Sequence, residues 1–315
     1  MSLRVFSDRR CLDHVVPHGF PEVPIRLGGI LDGLSLEGVE VQERGEHSDT
    51  DDAIRSVHDE SYVKRFRAAV EAGDMFVDTG DNPISARSWD AARAAVDATL
   101  FAADWTASGP GQRSFAMVRP PGHHAERSMA MGFCYFNNVA IAAERLIRHH
   151  GFERVAIVDF DVHHGNGTQH LFEDRGDVMY LSTHQHPFYP GTGQAGERGT
   201  GAGEGATVNI PLPPGTGDQR YEEVFVGELL PALHRFDPSV LLISAGFDAW
   251  QADPVGGMQV TAAAFEQWGA WLRQAADELC EGRIFATLEG GYDLNALPAL
   301  VVAFCRGLES ERPAD

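Results

Sequence analysis

Val155-Ala-Ile-Val-Asp-Phe-Asp-Val-His-His-Gly-Asn-Gly167 begins as a run of apolar, mostly β-branched residues and ends in carboxylates, imidazoles and glycines. The apolar half reads as a strand, Val155–Asp161, of the uninterrupted kind buried on both faces of a parallel sheet. Similar runs occur at Leu3–Ser7, Ser114–Val118, Val178–Thr183, Val240–Ala245 and Ile284–Leu288, and helical periodicity fills Asp90–Trp105, Asn137–His150, Tyr221–Arg235 and Thr261–Leu279. This alternation predicts an α/β chain with a mostly parallel sheet covered by helices on both faces. No internal repeat or low-complexity linker divides the chain, and the Gly-rich stretch Gly191–Gly205 reads as a long loop, so residues 1–315 are expected to form a single domain.

The composition narrows the function. With 46 acidic against 25 basic residues the net charge is −21, which lacks the clustered cations of a nucleic-acid footprint. Cys11, Cys134, Cys280 and Cys305 have no C-x-x-C spacing, so neither a disulfide framework nor a Cys-rich zinc site is indicated. There is no secretory pattern and no apolar run of membrane-spanning length. A cytoplasmic protein with reduced thiols is expected, without direct nucleic-acid or membrane binding; a homo-oligomer is allowed.

The chemically loaded segments each follow a predicted strand: Arg119–His124, Asp161–His164, His184–Gly193, Gly246–Asp248 and Glu289–Tyr292. In open α/β sheets the carboxyl ends of the strands face the ligand crevice, so these tips can converge despite their separation in sequence. Asp159, Asp161 and His163 alternate, which on an extended chain aims all three to one side, about 6.5–7 Å between neighbours. Asp161 and His163 can then share one metal, and Asp248, after an apolar strand and a glycine, supplies a third ligand. Two carboxylates and one imidazole leave a position for water, as in catalytic zinc sites. A dinuclear centre needs further acids nearby, but Asn166 and Trp250 stand at the corresponding positions, so a mononuclear centre is expected.

Arg119-Pro-Pro-Gly-His-His124 sets two imidazoles on a Pro/Gly-shaped turn, with Asp159 and Asn166 suited to hydrogen-bond one each. Leu288-Glu-Gly-Gly-Tyr292 forms a second turn that delivers a tyrosine hydroxyl. His123, His124 and Tyr292, with Asp159 and Asn166 behind the histidines, are therefore the candidate catalytic set.

These motifs, together with Gly132-Phe-Cys-Tyr-Phe-Asn-Asn138, Phe188-Tyr-Pro-Gly-Thr-Gly193 and Asp253-Pro254, resemble in order the signature of histone deacetylases and bacterial acetylpolyamine amidohydrolases. Asn166 and Glu289 make the chain similar to the class II branch. The resemblance implies an arginase/deacetylase-type fold with about eight strands, and zinc-dependent hydrolysis of acetyl-lysine, or alternatively of an acetylated polyamine or other small amide. It identifies Asp161, His163 and Asp248 with the zinc ligands, His123 and His124 with the tandem histidines, and Tyr292 with the transition-state tyrosine. It also implies an acyl-amine channel lined by Gly132, Phe133, Tyr189 and Val255, and an acidic rim residue at Glu60 or its neighbour Asp59. A potassium ion held by Asp159, backbone oxygens of Asp161 and His163, the Ser182 hydroxyl and the Thr183 carbonyl is implied as well, with a second monovalent site near Phe172. Arg26 would lie by the inner acetate pocket or in a structural salt bridge.

Overall fold

The computed structural model describes residues 3–310. In chain order it contains β1 (Arg4–Ser7), α1 (Ile25–Leu36), β2 (Val41–Glu43), α2 (Thr50–Val57), α3 (Glu60–Ala72), α4 (Ser88–Ala107), β3 (Arg113–Ala116) and α5 (Asn138–His150). There follow β4 (Val155–Asp159), α6 (Asn166–Phe172), β5 (Val178–Gln185), β6 (Thr207–Leu212), α7 (Asp218–Val224), α8 (Leu230–Phe236), β7 (Val240–Ala245), α9 (Ala262–Leu279), β8 (Ile284–Leu288) and α10 (Leu297–Glu309). The strands form one eight-stranded sheet in the order β2-β1-β3-β8-β7-β4-β5-β6, and every pairing is parallel.

The apolar runs form strands because they can be covered on both faces. Every residue of β3, β4, β5, β7 and β8 is buried. One helical set, α2 through α5, packs mainly around α4 and α5; α1, α9 and α10 form another, and both sets touch the sheet. Local signals fix α5 most clearly. The Asn137 side chain accepts from the Ala140 N–H at its start, and Gly151, at φ +74°, ends it just after Arg148, His149 and His150.

Two edge strands, β2 and β6, lie outside the sequence expectation. β2 has only three residues, none fully buried, and β6 contains Pro211, which an edge tolerates and an interior strand does not. The strand expected through Asp161 stops at Asp159, so Asp161 and His163 lie in the turn beyond the strand rather than on it. The five loaded tips follow β3, β8, β7, β4 and β5, which are contiguous in the sheet. Their convergence is thus a consequence of strand order.

Candidate active site

Asp161 and His163 after β4 meet Asp248 after the adjacent β7, and one donor atom from each lies within 4.8 Å of the others. All three side chains are buried. Asp161 accepts from the His163 N–H (2.9 Å) and the Gly290 N–H (2.8 Å), and Asp248 Oδ1 accepts from the Val162 N–H (2.9 Å). Asp248 Oδ2, 3.2 Å from His163 Nδ1, has no hydrogen-bond partner among the described residues. Burial and the charge of Asp161 push Asp248 up to about 7. Burial opposes a charged His163, but its contacts with Asp161 and Asp248 outweigh this and hold it up to about 9. The trio is short of positive charge, and an orphaned carboxylate oxygen in a dry pocket is what a cation ligand looks like without its cation. Two carboxylates and an imidazole fit zinc with a position left open. Gly246 and Gly290 make room for this cradle, since a Cβ on Gly246 would strike the Asp161 carboxylate and one on Gly290 would strike both carboxylates.

The rings of the tandem histidines lie 4.0 Å apart between centroids, tilted by 44°. His123 Nδ1–H donates to Asp159 Oδ2 (3.0 Å), which also accepts from the Tyr180 hydroxyl (3.0 Å). His124 Nδ1–H donates to Asn166 Oδ1 (2.7 Å). The two rings differ in charge for that reason. Burial disfavours the His123 cation, but Asp159 and Asp161 override it and raise the pKa to about 10. At His124 burial and the neighbouring His123 and His163 act together and depress it well below the ordinary value. Glu289, buried directly after β8, ties their turn to the sheet by accepting from the Gly122 and His123 N–H groups (2.7 and 3.1 Å) and from the Ser244 hydroxyl (3.0 Å).

Tyr292 is held by its backbone. Its N–H donates to Asp253 Oδ2 (2.7 Å), while Asp253 Oδ1 accepts from Val255 (2.9 Å), so one carboxylate clamps two segments of the wall. Burial raises the Tyr292 pKa well above the phenolic range, keeping the hydroxyl a donor. The Arg26 guanidinium lies 4.6 Å from the centre of its ring. Arg26 also donates to the carbonyls of Gly291 (2.6 Å) and Glu289 (2.7 Å) and to Glu22 (2.8 Å), which pairs with Arg119 as well (2.7 Å). Of the two readings of Arg26, the contacts show the salt bridge; Arg26 braces the Tyr292 turn and is not among the residues that line the cavity beside Tyr292.

A cavity of about 260 Å³ opens beside these groups, lined by His124, Gly132, Phe133, His163, Phe188, Tyr189, Val255, Tyr292 and Asp81. Phe188 stacks on the His163 ring at 5.1 Å. Gly132 has φ +59°, where a Cβ would strike His124, and Phe133 holds φ +66°, a strained value for a side-chain-bearing residue. Glu60 does not reach this cavity. It points outward from the first turn of α3, pairs with Lys64 at 2.7 Å and lines a separate charged depression, while Asp59 accepts from Ser128. The acid at the cavity is Asp81, which accepts from the Tyr189 hydroxyl (2.8 Å), the Gly132 N–H (3.1 Å) and the Thr79 hydroxyl. It lies in Gly80-Asp-Asn-Pro83, a turn-like sequence after no strand, so the strand-tip rule passes over it.

Asp159 and Ser182 are register neighbours, but Asp159 is engaged by His123, Tyr180 and the Asp161 N–H, and the Ser182 hydroxyl meets His184 Nδ1 at 2.9 Å. Thr183 is buried with its hydroxyl unpartnered among the described residues, and Phe172 closes α6 beneath Arg175. These contacts give no argument for potassium at either place. All four cysteines are free and buried, and no helix among the described residues is long and apolar enough to cross a membrane.

An all-parallel α/β sheet carrying a buried Asp-His-Asp cluster, two histidines and a tyrosine at its carboxyl edge defines an arginase/deacetylase-type hydrolase scaffold. The histone deacetylase domain model matches residues 20–308, and the chain belongs to that family. It is 39% identical over 312 residues to histone deacetylase 14, chloroplastic, of Arabidopsis thaliana, covering 92% of this chain and 73% of the relative. It is 37% identical over 295 residues to the histone deacetylase-like amidohydrolase of Pseudomonas aeruginosa, covering 93% and 77%. Among solved structures, the HDA15 HD domain superposes with TM-score 0.91 at 38% identity, covering 98% of this chain and 88% of that one. The acetylpolyamine aminohydrolase of Burkholderia pseudomallei gives 0.88 at 30% identity, covering 98% and 99%. Deacetylase chemistry on amide bonds of acetylated amines follows from family membership.

Proposed function

We propose that this chain is a mononuclear zinc deacetylase that prefers acetyl-lysine side chains. The observation that carries the reading is the cation-deficient Asp161-His163-Asp248 trio opening onto an apolar cavity that also contains His124 and Tyr292. Asp161, His163 and Asp248 would hold the metal, whose bound form supplies Lewis-acid polarisation of the carbonyl and a water of lowered pKa. Asn166 and Trp250 are neutral and committed elsewhere, to His124 and to Asp293 respectively, which supports one metal rather than two.

The remaining chemistry belongs to side chains. His124 is neutral, with Nδ1–H given to Asn166, so its Nε2 lone pair is free to take the proton of the attacking water. The tetrahedral oxyanion receives a hydrogen bond from the Tyr292 hydroxyl, and His124 returns the proton to the departing amine. His123, held as a cation by Asp159, adds positive charge beside the developing oxyanion. Phe133, Phe188, Tyr189 and Val255 pack along an aliphatic stem and exclude water.

Asp81 favours a second reading, since an acid at the cavity suits the distal ammonium of an acetylated polyamine. Its oxygens already accept three donors, which supports the peptide reading instead. Comparison of kcat/KM for an acetyl-lysine peptide and N-acetylputrescine at fixed salt decides between them. The peptide is expected to be the better substrate; a tenfold advantage for the polyamine, about 1.4 kcal/mol, would install the second reading.

A further inference from the structure

We infer that Glu126 is a positioning residue that fixes the proton of His124 on Nδ1 by dictating which way the Asn166 amide faces; the inference rests on the base role proposed for His124. An amide has an accepting end and a donating end. With Oδ1 toward the ring, as found at 2.7 Å, His124 must carry its proton on Nδ1 and keep Nε2 free. With the ends exchanged, Nδ2 would donate to Nδ1, the proton would move to Nε2, and the base would be blocked.

Nothing in His124 itself chooses between these states, because a neutral imidazole can satisfy either. The choice is made behind the amide. Asn166 Nδ2 donates to Glu126 Oε1 at 2.5 Å, and also faces the His124 carbonyl at 3.4 Å and Met131 Sδ at 3.2 Å. All three are acceptors, so a flipped amide would set its oxygen against a carboxylate and a carbonyl. Glu126 is the charged one, with its side chain 19% exposed, and the half-exposed His170 lies 2.8 Å from the same oxygen. His170, Glu126, Asn166 and His124 therefore form a chain from the surface to the base, in which each hydrogen bond sets the orientation of the next.

The test uses the zinc-loaded protein with 15N-labelled histidine, the His124 ring signals being assigned by their loss in His124→Phe. Wild type should show the Nδ1–H form of His124, and Glu126→Leu a mixture of both forms. The same variant should lose roughly tenfold in kcat on an acetyl-lysine peptide, the scale of one hydrogen bond to a charged group, with KM little changed. Adding Asn166→Asp to Glu126→Leu should restore the Nδ1–H form and most of kcat, because a carboxylate presents oxygen in either rotamer. If Glu126→Leu does not fold, Glu126→Gln carries the same readouts with a smaller effect. An unchanged tautomer in the Glu126 variant, or a kcat loss that Asn166→Asp does not reverse, overturns the inference. The tautomer reads out even if acetyl-lysine proves not to be the substrate, so the two readings fail separately.

Discussion

At Tyr292 the backbone and the hydroxyl have separate tasks. The N–H holds the turn to Asp253, the ring lies under Arg26, and Tyr292 lines the cavity, where the proposed function gives its hydroxyl the oxyanion. Tyr292→Phe keeps the first two, so it should fold with an unchanged Tm and lose about 10²–10³ in kcat, the scale of one oxyanion donor. A near-wild-type kcat on an unactivated acetyl-lysine amide would remove Tyr292 from the transition state. His58 shows the opposite case, a histidine whose role is structural. It lies 2.9 Å from both the Glu126 carbonyl and the Asn137 nitrogen, so Nδ1–H donates to the first and Nε2 accepts from the second. The second contact needs the neutral ring, and burial depresses its pKa from 6.5 to about 4. As pH falls below 6.5 the unfolded chain takes up this proton and the folded chain does not. Stability is therefore complete above 6.5 and is lost toward 4, at about 1.4 kcal/mol per pH unit for this one group. Tm measured between pH 7.5 and 4.5 should fall, and His58→Gln should flatten that fall; an equally steep fall in the variant would assign it to other groups.

At the scale of elements, the site is built from turns that follow strands, and their glycines are as specific as the ligands. The turn after β8 passes so close to the turns after β4 and β7 that a methyl on Gly290 would displace the carboxylates of Asp161 and Asp248 together. Gly290→Ala leaves the strand itself untouched. It should weaken zinc binding at least tenfold in a chelator competition, while the circular dichroism spectrum stays that of the wild type. Unaltered zinc affinity would mean that the cradle can widen by relaxing a neighbouring turn. The wall of the cavity shows the same economy, because Asp253 joins the segment after β7 to the turn after β8 through opposite oxygens of one carboxylate.

For the molecule as a whole, two buried clusters of charge are handled differently. In the Glu22-Arg26-Arg119 cluster two guanidiniums share one carboxylate and give their remaining N–H groups to backbone carbonyls, whereas Asp161, His163 and Asp248 leave one carboxylate oxygen without a hydrogen-bond partner among the described residues. On the proposed function, one equivalent of zinc per chain should bind and raise Tm, since a ligand at a hundred times its Kd adds about 2.7 kcal/mol to the folded state. Elemental analysis and thermal melts before and after chelation check both parts. A requirement for two equivalents of manganese would replace the mononuclear reading by a dinuclear one.

The sequence determined the class of fold and the residues that meet at the carboxyl edge of the sheet. Short apolar runs rich in β-branched residues, most of them followed by ionisable residues, already imply a parallel sheet with a site at its carboxyl edge. Asp161, His163, Asp248, His123, His124 and Tyr292 are legible for that reason, and the structure brings them together. The edge strands β2 and β6 were not legible, because an edge is half-solvated and its composition approaches that of a loop. Only the tertiary structure exchanged Glu60 for Asp81 at the cavity and revealed Glu126 behind Asn166. Neither Asp81 nor Glu126 follows a strand directly, and what either carboxylate does depends on which donors the packed chain brings within hydrogen-bonding distance, a property of three-dimensional proximity that spacing along the chain does not encode.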